Sequence, residues 1–115
     1  MNDILVVGER RSERAVRMGV RWKDEALAAI PLFEALRACD IEPEDCTFTN
    51  WFEGNAGKWA TRRHKGRILA LGKKVQQALV AEGIAHVPLV HPAARGAIRL
   101  RSAYIAHVAQ ALGRA

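Results

Sequence analysis

Residues able to bind a ligand or to move a proton occur at several points of this sequence, each directly after a short apolar run. They include a carboxylate at Glu9, guanidinium groups at Arg10 and Arg11, an amide at Asn50 and an imidazole at His91. An amide offers both a hydrogen-bond donor and an acceptor, an imidazole donates readily near neutral pH, and arginine stays protonated. These types suit a polar ligand, and the two arginines could also grip a phosphate.

The apolar runs that precede these residues predict four β-strands. Each run is short, rich in branched or aromatic side chains and bounded by glycine or polar residues, and together they cover residues 4–7, 46–50, 68–71 and 86–90. Pro88 cannot donate a backbone hydrogen bond, so it places the fourth strand at a sheet edge. Gly72-Lys73 and Pro92 lie just after strands as well.

Apolar residues at helical spacing predict three helices between and after these strands. One covers residues 24–39 with Asp24 as its N-cap, although Pro31 interrupts the pattern and could mark the true start. The others cover residues 73–82, ending at Gly83, and 102–112, capped by Ser102.

Buried strands that alternate with helices predict a three-layer α/β/α domain around a four-stranded parallel sheet. The length of 115 residues suits one domain, 1–115. Ligands of such sheets bind at the carboxyl ends of the strands. The polar residues that follow the strands are therefore expected to meet at one edge.

The charge of the chain is unevenly distributed. Eleven of the twelve acidic residues lie in 1–53, which gives that part a balance of −4, whereas the remainder has a balance of +10. Residues 54–75 contain seven Lys and Arg and no acid. Such a segment suits a polyanion, so nucleic acid is the expected partner, and a solvated basic loop is the alternative.

Composition also argues against several other classes of protein. No segment approaches the ~20 apolar residues of a membrane span, and the acidic start at Asp3 is unlike a signal peptide. Cys39 and Cys46 have no companions, whereas zinc or iron–sulfur sites need a fuller set of ligands. We expect a soluble, cytoplasmic monomer with no membrane partner, no metal and no cofactor.

Five motifs follow one another along the chain. They are Gly8-Glu9-Arg10-Arg11-Ser12 with Trp22 fourteen residues after Gly8, Leu32-Phe33-Glu34-Ala35-Leu36, Thr47-Phe48-Thr49-Asn50, Ile68-Leu69-Ala70-Leu71-Gly72, and His91-Pro92-Ala93-Ala94. In this order they resemble the uracil-DNA glycosylase superfamily, most closely its thermostable iron–sulfur branch. The resemblance covers nearly the whole chain and implies DNA repair by hydrolysis of an N-glycosidic bond.

The resemblance implies a role for each of the site residues. Trp22 would stack on a flipped-out base and Asn50 would read its edge, with Gly8 and Arg10 completing the base site. Glu9 would orient a water, and His91 would stabilise negative charge on the departing base. Trp22 as core filler, Asn50 as a turn residue and His91 as a structural hydrogen bonder are the alternatives.

The basic residues would then contact DNA. Residues 95–101, after the histidine motif, match a loop that presses into the minor groove, with a plain surface loop as the alternative. The expected DNA-binding residues are Lys58, Arg62, Arg63, Lys65, Lys73, Arg95, Arg99 and Arg101.

Two departures from the family bear on its chemistry. Arg10 stands where the family commonly places a water-activating acid or amide, and a second family acid falls on Ala15. The cluster cysteines of the iron–sulfur branch are missing. Three hypotheses therefore stay open: a minimal DNA glycosylase, a catalytically silent binder of nucleic acid or of a modified base, and a nucleotide-processing enzyme whose Arg10 and Arg11 grip a phosphate.

Overall fold

A computed structural model describes residues 3–93 and 101–113, so the predicted DNA contacts Arg95 and Arg99 lie outside the described residues. Its four strands are all parallel and lie in the order β2-β1-β3-β4. Their bounds are Ile4–Gly8 for β1, Thr47–Asn50 for β2, Arg67–Leu71 for β3 and Val87–Leu89 for β4. The predicted four-stranded parallel sheet is confirmed, as is the edge position of Pro88.

The register of the sheet aligns the strand ends that carry the polar residues. Gly8 at the end of β1 pairs with Asn50 at the end of β2, and Leu71 at the end of β3 pairs with Leu89 at the end of β4. From β1 the chain passes to its neighbour β2 on one side, and it then crosses to β3 on the other side of β1. The strand order therefore reverses between β1 and β3. In open parallel sheets this reversal opens a crevice beyond the strand ends.

Helices cover both faces of the sheet. Their bounds are Glu13–Met18 for α1, Ala29–Ala38 for α2, Ala56–Arg63 for α3, Lys73–Ala81 for α4 and Arg101–Ala111 for α5. On one face, α2 and α5 bury a core with Val6 and Leu69. On the other face, Val75 and Leu79 of α4 pack against alternate residues of the same strands. The predicted three layers are therefore confirmed.

The start of the first predicted helix is wrong. Asp24 does not cap α2; it ends a short 3-10 helix, Trp22–Asp24, and its carboxylate accepts the backbone N–H of Arg21. Leu27 then adopts a left-handed backbone with φ of 54°, which a continuous helix cannot contain. The helix begins at Ala29, so Pro31 lies in its first turn, where a missing N–H is tolerated.

Two further predictions of local structure are corrected. Ser102 lies inside α5 instead of capping it, because Arg101 is already helical. The basic segment is not a continuous loop, since α3 lies within it. Its buried residues Gly57 and Thr61 face the sheet, and Thr61 donates its hydroxyl to the Gly57 carbonyl.

No helix in the described ranges 3–93 and 101–113 is both long enough and apolar enough to cross a membrane.

Candidate functional site

A cleft of about 390 Å³ opens beside the carboxyl ends of the strands. Trp22, Asn50 and His91, which are 69 positions apart in the sequence from first to last, all line it. The rest of the lining is divided between small or apolar side chains and arginines, namely Ala15, Val20, Leu27, Ala28, Arg10, Arg11, Arg14 and Arg21 among others. Six residues were predicted for base binding and catalysis. The cleft wall includes four of them, Arg10, Trp22, Asn50 and His91, but neither Gly8 nor Glu9.

The side-chain amide of Asn50 is fixed at both ends. Trp22 donates its Nε1–H to Oδ1 of Asn50 over 3.1 Å, and Nδ2 of Asn50 donates to Oε2 of Glu53 over 3.0 Å. An indole can only donate and a carboxylate can only accept, so these partners define which way the amide points. No other group in the described ranges bonds to this amide, so one N–H and one oxygen lone pair remain for a ligand.

Two glycines allow this close packing around Asn50. A Cβ on Gly8 would lie 2.6 Å from Oδ1 of Asn50 and 2.9 Å from Cζ2 of Trp22. A Cβ on Gly57 would lie 2.0 Å from the backbone oxygen of Asn50, so α3 can begin against the end of β2 only with glycine at this position. Gly8, predicted as part of the base site, therefore acts through the space that it leaves for its neighbours.

Trp22 belongs to the core and to the cleft at once. Its ring packs against Phe48 with centroids 6.0 Å apart and planes 27° apart, and Phe48 in turn contacts Phe33 of α2. The indole is half-buried and also lines the cleft. The two interpretations of Trp22 offered by the sequence, core filler and ligand contact, are therefore compatible.

Glu53 is a site residue that the sequence did not reveal. Its carboxylate accepts the backbone N–H and the Nε–H of Arg11 as well as the amide of Asn50, so it joins the loop after β1 to the end of β2. Burial acts to raise the pKa of Glu53, but the hydrogen bonds and the positive charge of Arg11 outweigh burial and lower it. The carboxylate stays ionised and keeps both partners in place.

His91 is held at the end of β4 by a set of hydrogen bonds from the surrounding helices. Tyr104 of α5 donates its hydroxyl to the Val90 carbonyl over 2.8 Å, and the Val90 N–H donates to Nε2 of His107. From the other face, Gln76 of α4 donates to the Leu89 carbonyl. The backbone that presents His91 is thus tied to both helical layers.

The protonation state of His91 follows from its contacts. The backbone N–H of Ala93 donates to Nδ1 of His91 over 3.0 Å, so Nδ1 must be unprotonated and the neutral ring carries its hydrogen on Nε2. Burial lowers the pKa of His91, and the negative charge of Glu9 opposes this only in part. Within residues 3–93 and 101–113 the Nε2–H of this neutral imidazole has no protein acceptor, so it can donate to a ligand oxygen.

Glu9 lies beside the cleft and does not line it. One of its carboxylate oxygens is 3.4 Å from Nζ of Lys74 at the start of α4. The backbone carbonyl of Glu9 accepts the Phe52 N–H, which holds this residue next to the end of β2. The negative charge of Glu9 acts to raise the pKa of His91. However, no carboxylate is among the described residues that form the cleft wall.

The basic residues predicted to contact DNA fall into two groups. Lys73 begins α4 at the carboxyl edge, and Lys58 lies in the first turn of α3, one residue after Gly57. In contrast, α3 ends at Arg63, and His64 then contacts the Asp3 carbonyl at the opposite edge, so Lys65 is far from the cleft.

Several of these cations already have partners. Arg62 forms a two-pronged ion pair with Glu82, with both distances 2.7 Å, and Arg101 is similarly paired with Glu34 of α2. Arg63 stacks on the exposed ring of Trp59, 4.4 Å from its centroid. Lys65 and Lys73 form no ion pair with any residue in 3–93 or 101–113.

The described part of the chain holds no group of three or more His, Cys, Asp or Glu that could bind a metal ion. The cleft instead offers hydrogen bonds from an amide and an imidazole, an aromatic ring and several guanidinium groups. Models of known protein families do not match this sequence, and no curated protein is significantly similar to it.

Proposed function

We propose that this protein binds nucleic acid and holds one unstacked base in the cleft between Trp22, Asn50 and His91. The observation that carries the proposal is the fixed amide of Asn50, which offers one donor and one acceptor beside an aromatic ring. A base taken out of its stack is held by such a pair, with hydrogen bonds to its polar edge and contact with its face.

The size and the composition of the cleft agree with such a ligand. Its volume of about 390 Å³ falls within the ~300–1,000 Å³ of small-molecule sites. Apolar side chains such as Leu27 and Val20 provide contact for a flat ring, while the polar groups that fix its orientation are few and converge. The excess of basic residues beyond residue 53 favours a polyanion as the carrier of the base.

Binding is favoured over hydrolysis because no described carboxylate lines the cleft. Glu9, the residue predicted to orient a water, lies against Lys74 instead. Arg10 lines the cleft, and a guanidinium cannot act as a general base because it stays protonated. The catalytically silent binder is therefore our first candidate.

Cleavage of the N-glycosidic bond is the second candidate, and His91 is the observation that favours it. Its neutral ring presents an Nε2–H, the donor needed to stabilise negative charge that develops on a departing base. If cleavage occurs, Arg10→Asn should raise its rate, because a neutral amide can hold a water. His91→Ala should lower that rate by ~10²–10³.

One set of oligonucleotides tests both candidates. Single- and double-stranded DNA carrying uracil, another altered base or an abasic tetrahydrofuran at one position would be titrated by fluorescence anisotropy. The same mixtures would be scored for abasic sites by alkaline cleavage.

We expect the DNA that carries a base to bind at least about 5-fold more tightly than the abasic analogue, since stacking of one base contributes ~1–3 kcal/mol. Asn50→Ala should reduce this difference, because it removes the hydrogen bonds to the base edge and leaves the contact with Trp22. Equal binding of all the oligonucleotides would contradict the proposal, and abasic-site formation by the unchanged chain would favour the second candidate.

A further inference from the structure

We propose that the cleft has a phosphate-binding half formed by Arg10, Arg14 and Arg21, so that its ligand is a base together with its own phosphate. This inference rests on the proposed function, because it extends the base site to a whole nucleotide unit. The ligand chemistry is a phosphate ester. It could belong to a free nucleotide or to the strand that carries the unstacked base.

The position of these arginines is the first argument. Arg10 lies in the loop after β1, Arg14 lies in α1, and Arg21 lies just before the 3-10 helix that contains Trp22. Although they come from three separate segments, all three line the same cleft as Trp22. Arg17, on the same short helix as Arg14, does not line it.

The absence of carboxylate partners for these arginines within the described ranges is the second argument. In the described ranges, Arg10, Arg14 and Arg21 form no ion pair with any carboxylate. Arg11, the fourth arginine of the wall, is instead neutralised by Glu53. Three guanidinium groups that lack a carboxylate partner within those ranges give the cleft wall a positive charge, which suits an anionic group on the ligand.

The mixed composition of the cleft wall is the third argument. Asn50 and His91 supply hydrogen bonds, and Ala15, Val20 and Leu27 supply apolar surface. An apolar wall would gain little from a bare anion, and an arginine cluster would gain little from a neutral base. A nucleotide matches both kinds of lining group, since its base is flat and its phosphate takes hydrogen bonds from several guanidinium groups.

Titration calorimetry with nucleosides and nucleotides tests the inference. The probes are the 2′-deoxynucleosides of uracil, thymine, cytosine, adenine and guanine, and their 5′-monophosphates. We expect the monophosphate of the preferred base to bind at least ~10-fold more tightly than its nucleoside. Each of Arg14→Gln and Arg21→Gln should remove most of that difference.

Arg17→Gln is the matched control. It removes the same charge from the same helix as Arg14→Gln, at a residue that does not line the cleft. It should leave the preference for the monophosphate unchanged. If Arg17→Gln weakened the monophosphate as much as Arg14→Gln does, binding would depend on net charge alone and the inference would be overturned.

A second arm separates the two sources of phosphate. An oligonucleotide with one altered base would be compared with the same strand carrying a neutral methylphosphonate next to that base. Weaker binding of the methylphosphonate strand would show that the bound phosphate belongs to the strand. If the methylphosphonate has no effect while the monophosphate still binds more tightly than its nucleoside, the ligand is a free nucleotide. If neither the monophosphate nor the methylphosphonate changes affinity, the inference is overturned.

The two proposals can also fail separately. If the oligonucleotides still distinguish a base from the abasic analogue while phosphate has no effect, only this inference fails. If phosphate affects binding but no base is distinguished from the abasic analogue, the proposed function fails, and this inference fails with it.

Discussion

The indole Nε1–H of Trp22 donates to Oδ1 of Asn50 across 3.1 Å, although the two residues are 28 positions apart in the sequence. Trp22 begins a 3-10 helix before α2, and Asn50 ends β2. The bond therefore joins the segment that covers one face of the sheet to the edge where the cleft opens. It also leaves the amide of Asn50 in one defined orientation.

Trp22→Phe tests this bond, because it keeps an aromatic ring and removes the indole donor. We expect the free energy of unfolding to fall by about 1 kcal/mol, since Asn50 loses a partner in a half-buried position. The preference for DNA that carries a base should also decrease. Urea denaturation and anisotropy would measure the two effects.

Trp59→Phe is the control for Trp22→Phe. Its ring is 64% exposed and lies outside the cleft, so both quantities should stay close to those of the unchanged chain. Equal losses in the two variants would show that the indole–amide bond has no special role.

Glu53→Gln should loosen the loop after β1. Both oxygens of the Glu53 carboxylate accept hydrogen bonds, whereas a carboxamide has only one oxygen that can accept. Its NH₂ group would replace the other oxygen and would face an N–H donor of Arg11 or Asn50. We expect weaker binding of a nucleotide and a lower free energy of unfolding at neutral pH. Glu82→Gln, which removes an ion pair distant from the cleft, should not affect nucleotide binding.

The effect of Glu53→Gln on stability should depend on pH. The pKa of Glu53 is lowered in the folded chain from its ordinary 4.5, so its contribution is complete above pH 4.5. That contribution is lost as the pH falls through the folded-state value. The difference between the two chains in urea denaturation should therefore shrink below pH 4.5, and a constant difference would contradict the assignment.

His91 should titrate below its ordinary pKa of 6.5, because burial disfavours the charged ring. Its neutral form then stabilises the fold fully above pH 6.5, and that contribution is lost as the pH falls towards the folded-state pKa. NMR of the ring carbons and protons would measure the midpoint. Glu9→Gln should lower it further by removing a negative charge, and a midpoint at or above 6.5 would contradict the prediction.

Lys73→Gln should weaken DNA binding, because Lys73 begins α4 at the edge of the sheet where the cleft opens. If it contacts one phosphate, the slope of log K against log salt should become less steep by ~0.7–0.9. Lys65→Gln removes the same charge at the opposite edge, beside the residues that contact Asp3. It should leave the slope unchanged, and equal slopes for both variants would indicate binding without a defined orientation.

The sheet could be predicted from the sequence because its strands are short, apolar and clearly bounded. The strands at 4–8, 47–50, 67–71 and 87–89 differ from the predicted runs by at most one residue at each end. Parallel strands are buried on both faces, so a continuous apolar run is a reliable signal for them. The edge position of Pro88 followed from its missing N–H.

The helices were harder to predict where tertiary contacts determine whether a helix forms and where it begins. The α2 start depends on left-handed residues at Glu25 and Leu27, neither of which is a residue type that favours this backbone. Neither α1 nor α3 was predicted. The α3 helix is mostly polar, and it is held by the close contact of Gly57 with β2 instead of by a broad apolar face.

The candidate site was only partly predictable for a similar reason. The rule that ligands bind at strand ends placed Asn50 and His91 correctly at one edge, but it could not tell towards which side Glu9 would turn. Glu53 gave no signal, because it is an acid in a polar loop three positions after Asn50. Only the fold shows that it contacts both Asn50 and Arg11.

The shared carboxylate of Glu53 restricts how this protein could evolve a new specificity. Asn50→Asp is the smallest change that would exchange an amide for an acid at the ligand-facing position. The new carboxylate would lie about 3 Å from that of Glu53, and one of the two would have to take up a proton. Such a change would become acceptable only together with a neutral residue at position 53, which would in turn release Arg11. Ligand preference and loop anchoring must therefore change together, through paired substitutions.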